Sequence, residues 1–147
     1  MAEIISEYEL MFLYEEGAMN RTLLLYGFAL WVVGTIGVRF GGQLLLRPES
    51  AVSIIVLYAL SIVAMALLTR RLCRAVGLPR SEWLAGAVSL ALPTLLLDPL
   101  SSAFFPAVFP NVSPSAAGLF GGWMLCCCAG ALLGATIGAV RSEAAAR

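Results

Sequence analysis

Two charges stand apart from the rest of this chain. Arg39 lies inside a long apolar run, and Asp98 closes another. A charge within a membrane span costs about 2.5–3.5 kcal/mol on insertion scales, so it normally faces other helices and has a partner. Thr35, Arg39 and Gln43 recur at four-residue spacing and share one helix face, with Gly34, Gly37 and Gly41 on roughly the opposite face. At the helical rise, Arg39 lies about 24 Å beyond Leu23 and Asp98 about 22 Å beyond Trp83. Similar depth in the outer leaflet predicts an Arg39–Asp98 pair, with Gln43, Ser101 or Ser102 completing its hydrogen bonds. Trp123 reaches a comparable level from the outer side, and its indole N–H is expected to donate to Asp98. Such a cluster has two readings. It is a clamp that neutralises itself and lets a marginal helix insert, or it is an ion or substrate site below the outer surface.

A second pattern is steric. Gly118, Gly122, Cys126, Gly130, Gly134 and Gly138 fall at every fourth position. Small residues at this spacing let helix backbones approach closely. Each step drifts about 40° around the helix, so the row winds. It is longer than one crossing needs. Packing inside the bundle and a homodimer seam are both expected uses.

These residues need membrane helices to position them. Of 147 residues, 61% are hydrophobic and only 12% charged. An ordinary soluble domain carries about 25% charged residues. Too little polar surface remains to cover a soluble globule of this size, so the chain reads as all-α and integral to a membrane. A crossing takes about 20 apolar residues. Four stretches qualify, over about 23–46, 51–69, 83–97 and 115–140. They form one four-helix domain over residues 19–147. Pro93 is expected to kink the third span. Pro99, Pro106, Pro110 and Pro114 predict a broken, partly interfacial connection over 99–114, with Phe104, Phe105 and Phe109 dipping into the bilayer edge. Arg70, Arg71, Arg74 and Arg80 share one loop, and Arg21, Arg141 and Arg147 flank the outer spans on the same side. The positive-inside rule then places both termini in the cytoplasm.

The prefix over residues 1–18 is different. Glu3, Glu7, Glu9, Glu15 and Glu16 make it acidic, and Met19 before an apolar run reads as a natural start. The prefix is therefore expected to derive from an upstream start site.

Several functions are disfavoured. The chain has nine Arg, no Lys and no His, and its formal net charge is zero. The commonest general base and metal ligand is missing. The arginines are scattered at segment ends, which argues against nucleic acid as a partner. Cys73, Cys126, Cys127 and Cys128 contain no C-x-x-C. They read as small hydrophobes rather than metal ligands. No nucleophile–base arrangement can be built without His, Lys or paired acids, so no enzyme, cofactor or metal is expected.

Small multidrug-resistance exporters use an acid in the first span, where this chain has Arg39. Fluoride channels share a glycine-rich first span with an arginine, but not this spacing. The chain more closely resembles an uncharacterised family of small four-span bacterial membrane proteins, a domain of unknown function. The likeness rests on Gly27-Phe28-x-x-Trp31, on Thr35 with Val38-Arg39-Phe40-Gly41-Gly42-Gln43, on Leu97-Asp98 with Phe104-Phe105-Pro106 and Phe109-Pro110-Asn111, and on Phe120-Gly121-Gly122-Trp123. It spans about residues 20–140 and implies a bacterial plasma-membrane location. It implies no activity. The leading expectation is a non-enzymatic multi-pass protein that packs in the bilayer with itself or a membrane partner. The alternative is a small-solute or ion transporter using Thr35, Arg39, Gln43 and Asp98.

Overall fold

The computed structural model describes residues 19–145, with side chains described over 19–137. The acidic prefix and the surroundings of Gly138 lie outside the described residues. The chain forms α1 (Arg21–Leu45), α2 (Ala51–Ala75), α3 (Trp83–Ala103), the single turn α4 (Phe105–Val108) and α5 (Ala117–Ala145). Short 3-10 turns at Arg80–Glu82 and Pro114–Ala116 precede α3 and α5. Among the described residues there is no strand. Four helices are long and apolar enough to cross a membrane.

Local chemistry sets the boundaries. The Asn20 side chain accepts from the Leu23 amide at 3.0 Å, and the Ser50 hydroxyl from the Ser53 amide at 3.3 Å, capping α1 and α2. The second helix ends at Gly77, which has φ 78°. There the Leu78 amide donates to the Cys73 carbonyl at 3.0 Å and the Gly77 amide to Arg74 at 3.1 Å. That pair of bonds stops a helix while satisfying its last carbonyls.

Two parallel helix pairs make up the bundle. In the first, α1 lies along α3: a Cβ on Gly27 would collide with the Leu90 backbone, and one on Gly86 would meet Leu23 at 2.8 Å. In the second, α2 lies along α5, with Ile62 against Gly130 and Ala66 against Gly134. The pairs join where α3 runs antiparallel to α5. Consecutive helices α1 and α2 touch little.

Three expectations need correction. The second span does not end near residue 69: α2 runs on to Ala75, so Arg70, Arg71 and Arg74 lie on the helix, whose stop is Gly77, and only Arg80 falls in the connection. The other two concern the third span and the connection after it. The third span does not end at Leu97. The helix continues through Pro93 and Pro99 to Ala103. Proline's fixed φ is compatible with a helix, and in a bundle neighbouring groups tolerate the lost N–H. The connection that follows is also not a lipid-dipping loop. Phe105 and Phe109 are fully buried, and only Phe104 is exposed. Phe105, Phe109 and Phe120 stack in a triangle with ring centroids 4.9–5.8 Å apart. Val38, Leu46, Val112 and Ala116 complete this cluster. The connection thus folds back over the bundle end, where burying three aromatic rings is strongly favourable.

Candidate functional site around Asp98

Asp98 is 7% exposed on α3. One carboxylate oxygen, Oδ1, accepts the Trp31 indole N–H at 2.9 Å. The other, Oδ2, is buried and has no hydrogen-bond partner among the described residues. A buried unpartnered carboxylate oxygen is expensive, because its lost hydration is not replaced.

Arg39 does not neutralise it. Its guanidinium donates to the Val108 carbonyl at 2.6 Å, while Asn111 donates to the Arg39 carbonyl at 3.4 Å. Arg39 therefore ties α1 to the folded-back connection, at the open C-terminal end of α4 where carbonyls lack helical partners. The expected pair fails on register. Leu23 faces Gly86 and Gly27 faces Leu90. Carried up in four-residue steps, this register sets Asp98 opposite Thr35, and Arg39 opposite Ser102. Arg39 is thus one four-residue step, about 6 Å, further along the bundle. Depth counted from Leu23 and Trp83 put the two helices most of a turn out of step.

The remaining expected members separate as well. Thr35 is half-buried and Gln43 exposed. Neither hydrogen-bonds to Asp98, and the Ser101 hydroxyl turns back to the Leu97 carbonyl at 3.3 Å. The Trp123 indole donates across to the Ser61 hydroxyl at 2.6 Å, not to Asp98. It belongs to the α2–α5 seam, where the Tyr58 hydroxyl also donates to the Leu119 carbonyl at 2.7 Å.

The glycine row divides. A Cβ on Gly122 would meet the Tyr58 hydroxyl at 2.6 Å, one on Gly130 the Ile62 carbonyl at 2.5 Å, and one on Gly134 would collide with the Ala66 backbone. Gly118 has open space around it. Cys126, between them, is half-buried. The stripe on α1 stays open: a Cβ on Gly34, Gly37 or Gly41 would meet nothing within 4 Å.

Beside Asp98 is a cavity of about 200 Å³ between α3 and α5. Thr94, Asp98 and Ser102 supply its polar atoms, while Pro99, Gly121, Met124 and Cys128 supply walls. Leu95 and Leu125 form its rim, and both are exposed on the outer surface of the bundle. The opening is therefore lateral, through the side of the helices. By comparison, a cavity of about 150 Å³ holds benzene. Among the described residues no cluster of His, Cys, Asp or Glu is grouped to hold a metal ion.

Sequence reasoning missed Trp31 as the partner of Asp98. The signal was present: Trp31 sits one step before Thr35 on the four-residue stripe. Its aromatic character hid it among the apolar residues of the span.

Fold and site together define a four-helix, membrane-compatible bundle with a carboxylate at a side-opening cavity. The chain belongs to a family of unknown function, DUF5367, whose model matches residues 45–143. Asp98 and the whole cavity lie within the matched stretch, while Trp31 and Arg39 lie before it. No curated protein and no solved structure matches the chain.

Proposed function

We propose that this protein binds, and carries across the bilayer, a small solute with a protonated amine or similar cationic head, using Asp98 as its anchor. One observation carries the reading: Asp98 lines a cavity open to the side of the bundle, and its Oδ2 is buried and unpartnered among the described residues. An intramembrane acid without a resident counter-charge recruits a positive partner, either a proton or a cationic group. Competition between the two at one carboxylate is the minimal chemistry of an exchanger. The walls suit an apolar body behind the charge. Trp31 holds the carboxylate in place through Oδ1. Oδ2 is covered in this arrangement, so a side-chain movement at the cavity must uncover it before an incoming donor can reach it. No covalent step belongs to this reading. Arginine placement supports cytoplasmic termini, and the family resemblance supports a bacterial inner-membrane location.

The test is binding of benzylammonium to the full chain in detergent micelles. Wild type should bind it, and Asp98→Asn should bind at least about tenfold more weakly, a loss of about 1.4 kcal/mol. Equal binding by the two proteins would contradict the reading.

A second reading, pairing with another copy, keeps one observation: the open stripe of Gly34, Gly37 and Gly41. The α5 row supports it less, since α2 already occupies Gly122, Gly130 and Gly134. A dimer in mild detergent that Gly37→Leu dissociates would favour it; a monomer in wild type would end it.

A further inference from the structure

At the other end of the bundle, Trp83 begins α3 with only 2% of its surface exposed. Its indole N–H donates to the Leu78 carbonyl at 3.0 Å. Leu78 is held in turn by the bonds that close α2 at Gly77. The turn and the ring are therefore tied together and packed with Leu23, Cys73 and Ala135. Two arginines converge on it. The guanidinium carbon of Arg74 lies 5.7 Å from the Trp83 ring centroid, and that of Arg80 lies 5.8 Å from it. Both fall within cation–π reach. Both side chains are exposed. Among the described residues no carboxylate pairs with either, Glu82 of the same turn included.

Membrane topology requires basic charge in a loop, in any arrangement. It does not require two like charges placed against one buried, hydrogen-bonded indole. Each guanidinium is a planar fork of N–H donors shaped for phosphate oxygens. Tryptophan is enriched at the level of the headgroups. We propose that Arg74 and Arg80, set by Trp83, form a binding site for a phosphate group. An anionic lipid headgroup and free phosphate share that chemistry. This site is independent of the Asp98 cavity and uses none of its residues.

The experiment uses the full chain and reads lipid retention by native mass spectrometry, with thermal stability measured in parallel. The probes are phosphatidylglycerol, phosphatidylcholine and inorganic phosphate. Wild type should retain phosphatidylglycerol at least about fivefold over phosphatidylcholine, and Arg74→Gln/Arg80→Gln should abolish that preference. Arg70→Gln/Arg71→Gln removes the same charge from the same end of α2 and should leave the preference in place. Stabilisation by inorganic phosphate alone, lost only in the Arg74/Arg80 variant, would assign the site to free phosphate. Equal loss in both double variants would overturn the site in favour of diffuse charge. So would a wild type with neither lipid preference nor response to phosphate. Should the double variant fail to fold, Arg80→Lys keeps the charge and removes the fork. It should lose most of the preference, and unchanged retention there would also overturn the site.

Discussion

The two flanks of α5 are built from similar residues and behave oppositely. On the flank toward α2, Gly130 and Gly134 press on the Ile62 and Ala66 backbones, with no room for a methyl group. On the flank toward α3, a Cβ on Gly121 would have only the Ser102 hydroxyl for company, at 3.9 Å. Here longer side chains keep the helices apart, and the cavity beside Asp98 remains. Small residues thus license a close approach without producing one. The backbone that arrives opposite decides, and that depends on register.

The contrast can be broken by substitution, with effects of decreasing size. Gly134→Leu should abolish folded, monodisperse protein in mild detergent, because a backbone cannot move aside for it; recovery at wild-type yield would show the seam to be loose. Gly130→Ala should fold but lose about 1–3 kcal/mol in reversible unfolding, the usual cost of overpacking. Trp31→Phe removes the donor to Asp98 Oδ1 and leaves a second buried oxygen unpaired. It should cost about 1–3 kcal/mol, and no measurable change would mean that the indole bond contributes little. Gly121→Leu should fold close to wild type yet weaken benzylammonium binding, since it fills the cavity rather than the seam. Gly37→Ala, on the open stripe of α1, should change stability by less than about 1 kcal/mol, with helix propensity favouring alanine. A large loss there would reveal a neighbour pressed against that face.

Much of the architecture was legible in the sequence. Apolar runs longer than a bilayer crossing, broken by Arg47-Pro48-Glu49 and by the Arg70–Arg80 stretch with Pro79, located all four long helices and their starts to within a turn. The end of α2 was placed six residues short of Ala75, because arginines on a helix reaching past the apolar run read as a loop. The end of α3 was not legible, because Pro99 reads as a breaker unless the neighbouring helices are known. Asp98 was legible as a candidate because a lone intramembrane acid is costly wherever it points. Its partner was not. Choosing between Arg39 and Trp31 takes helix register to better than one turn, and composition carries no such information. The aromatic triangle of Phe105, Phe109 and Phe120 escaped for a related reason. Phenylalanines spaced among prolines look interfacial until the chain is seen to fold back.

The central claim is that Arg39 does not neutralise Asp98. A double-mutant cycle with Arg39→Gln, Asp98→Asn and the double variant, read by reversible unfolding in mixed micelles, tests it most directly. Additive effects, within about 0.5 kcal/mol, are predicted for two side chains without a shared partner. A coupling energy above about 1 kcal/mol would show that the two charges interact, and would return Asp98 to the role of a structural clamp.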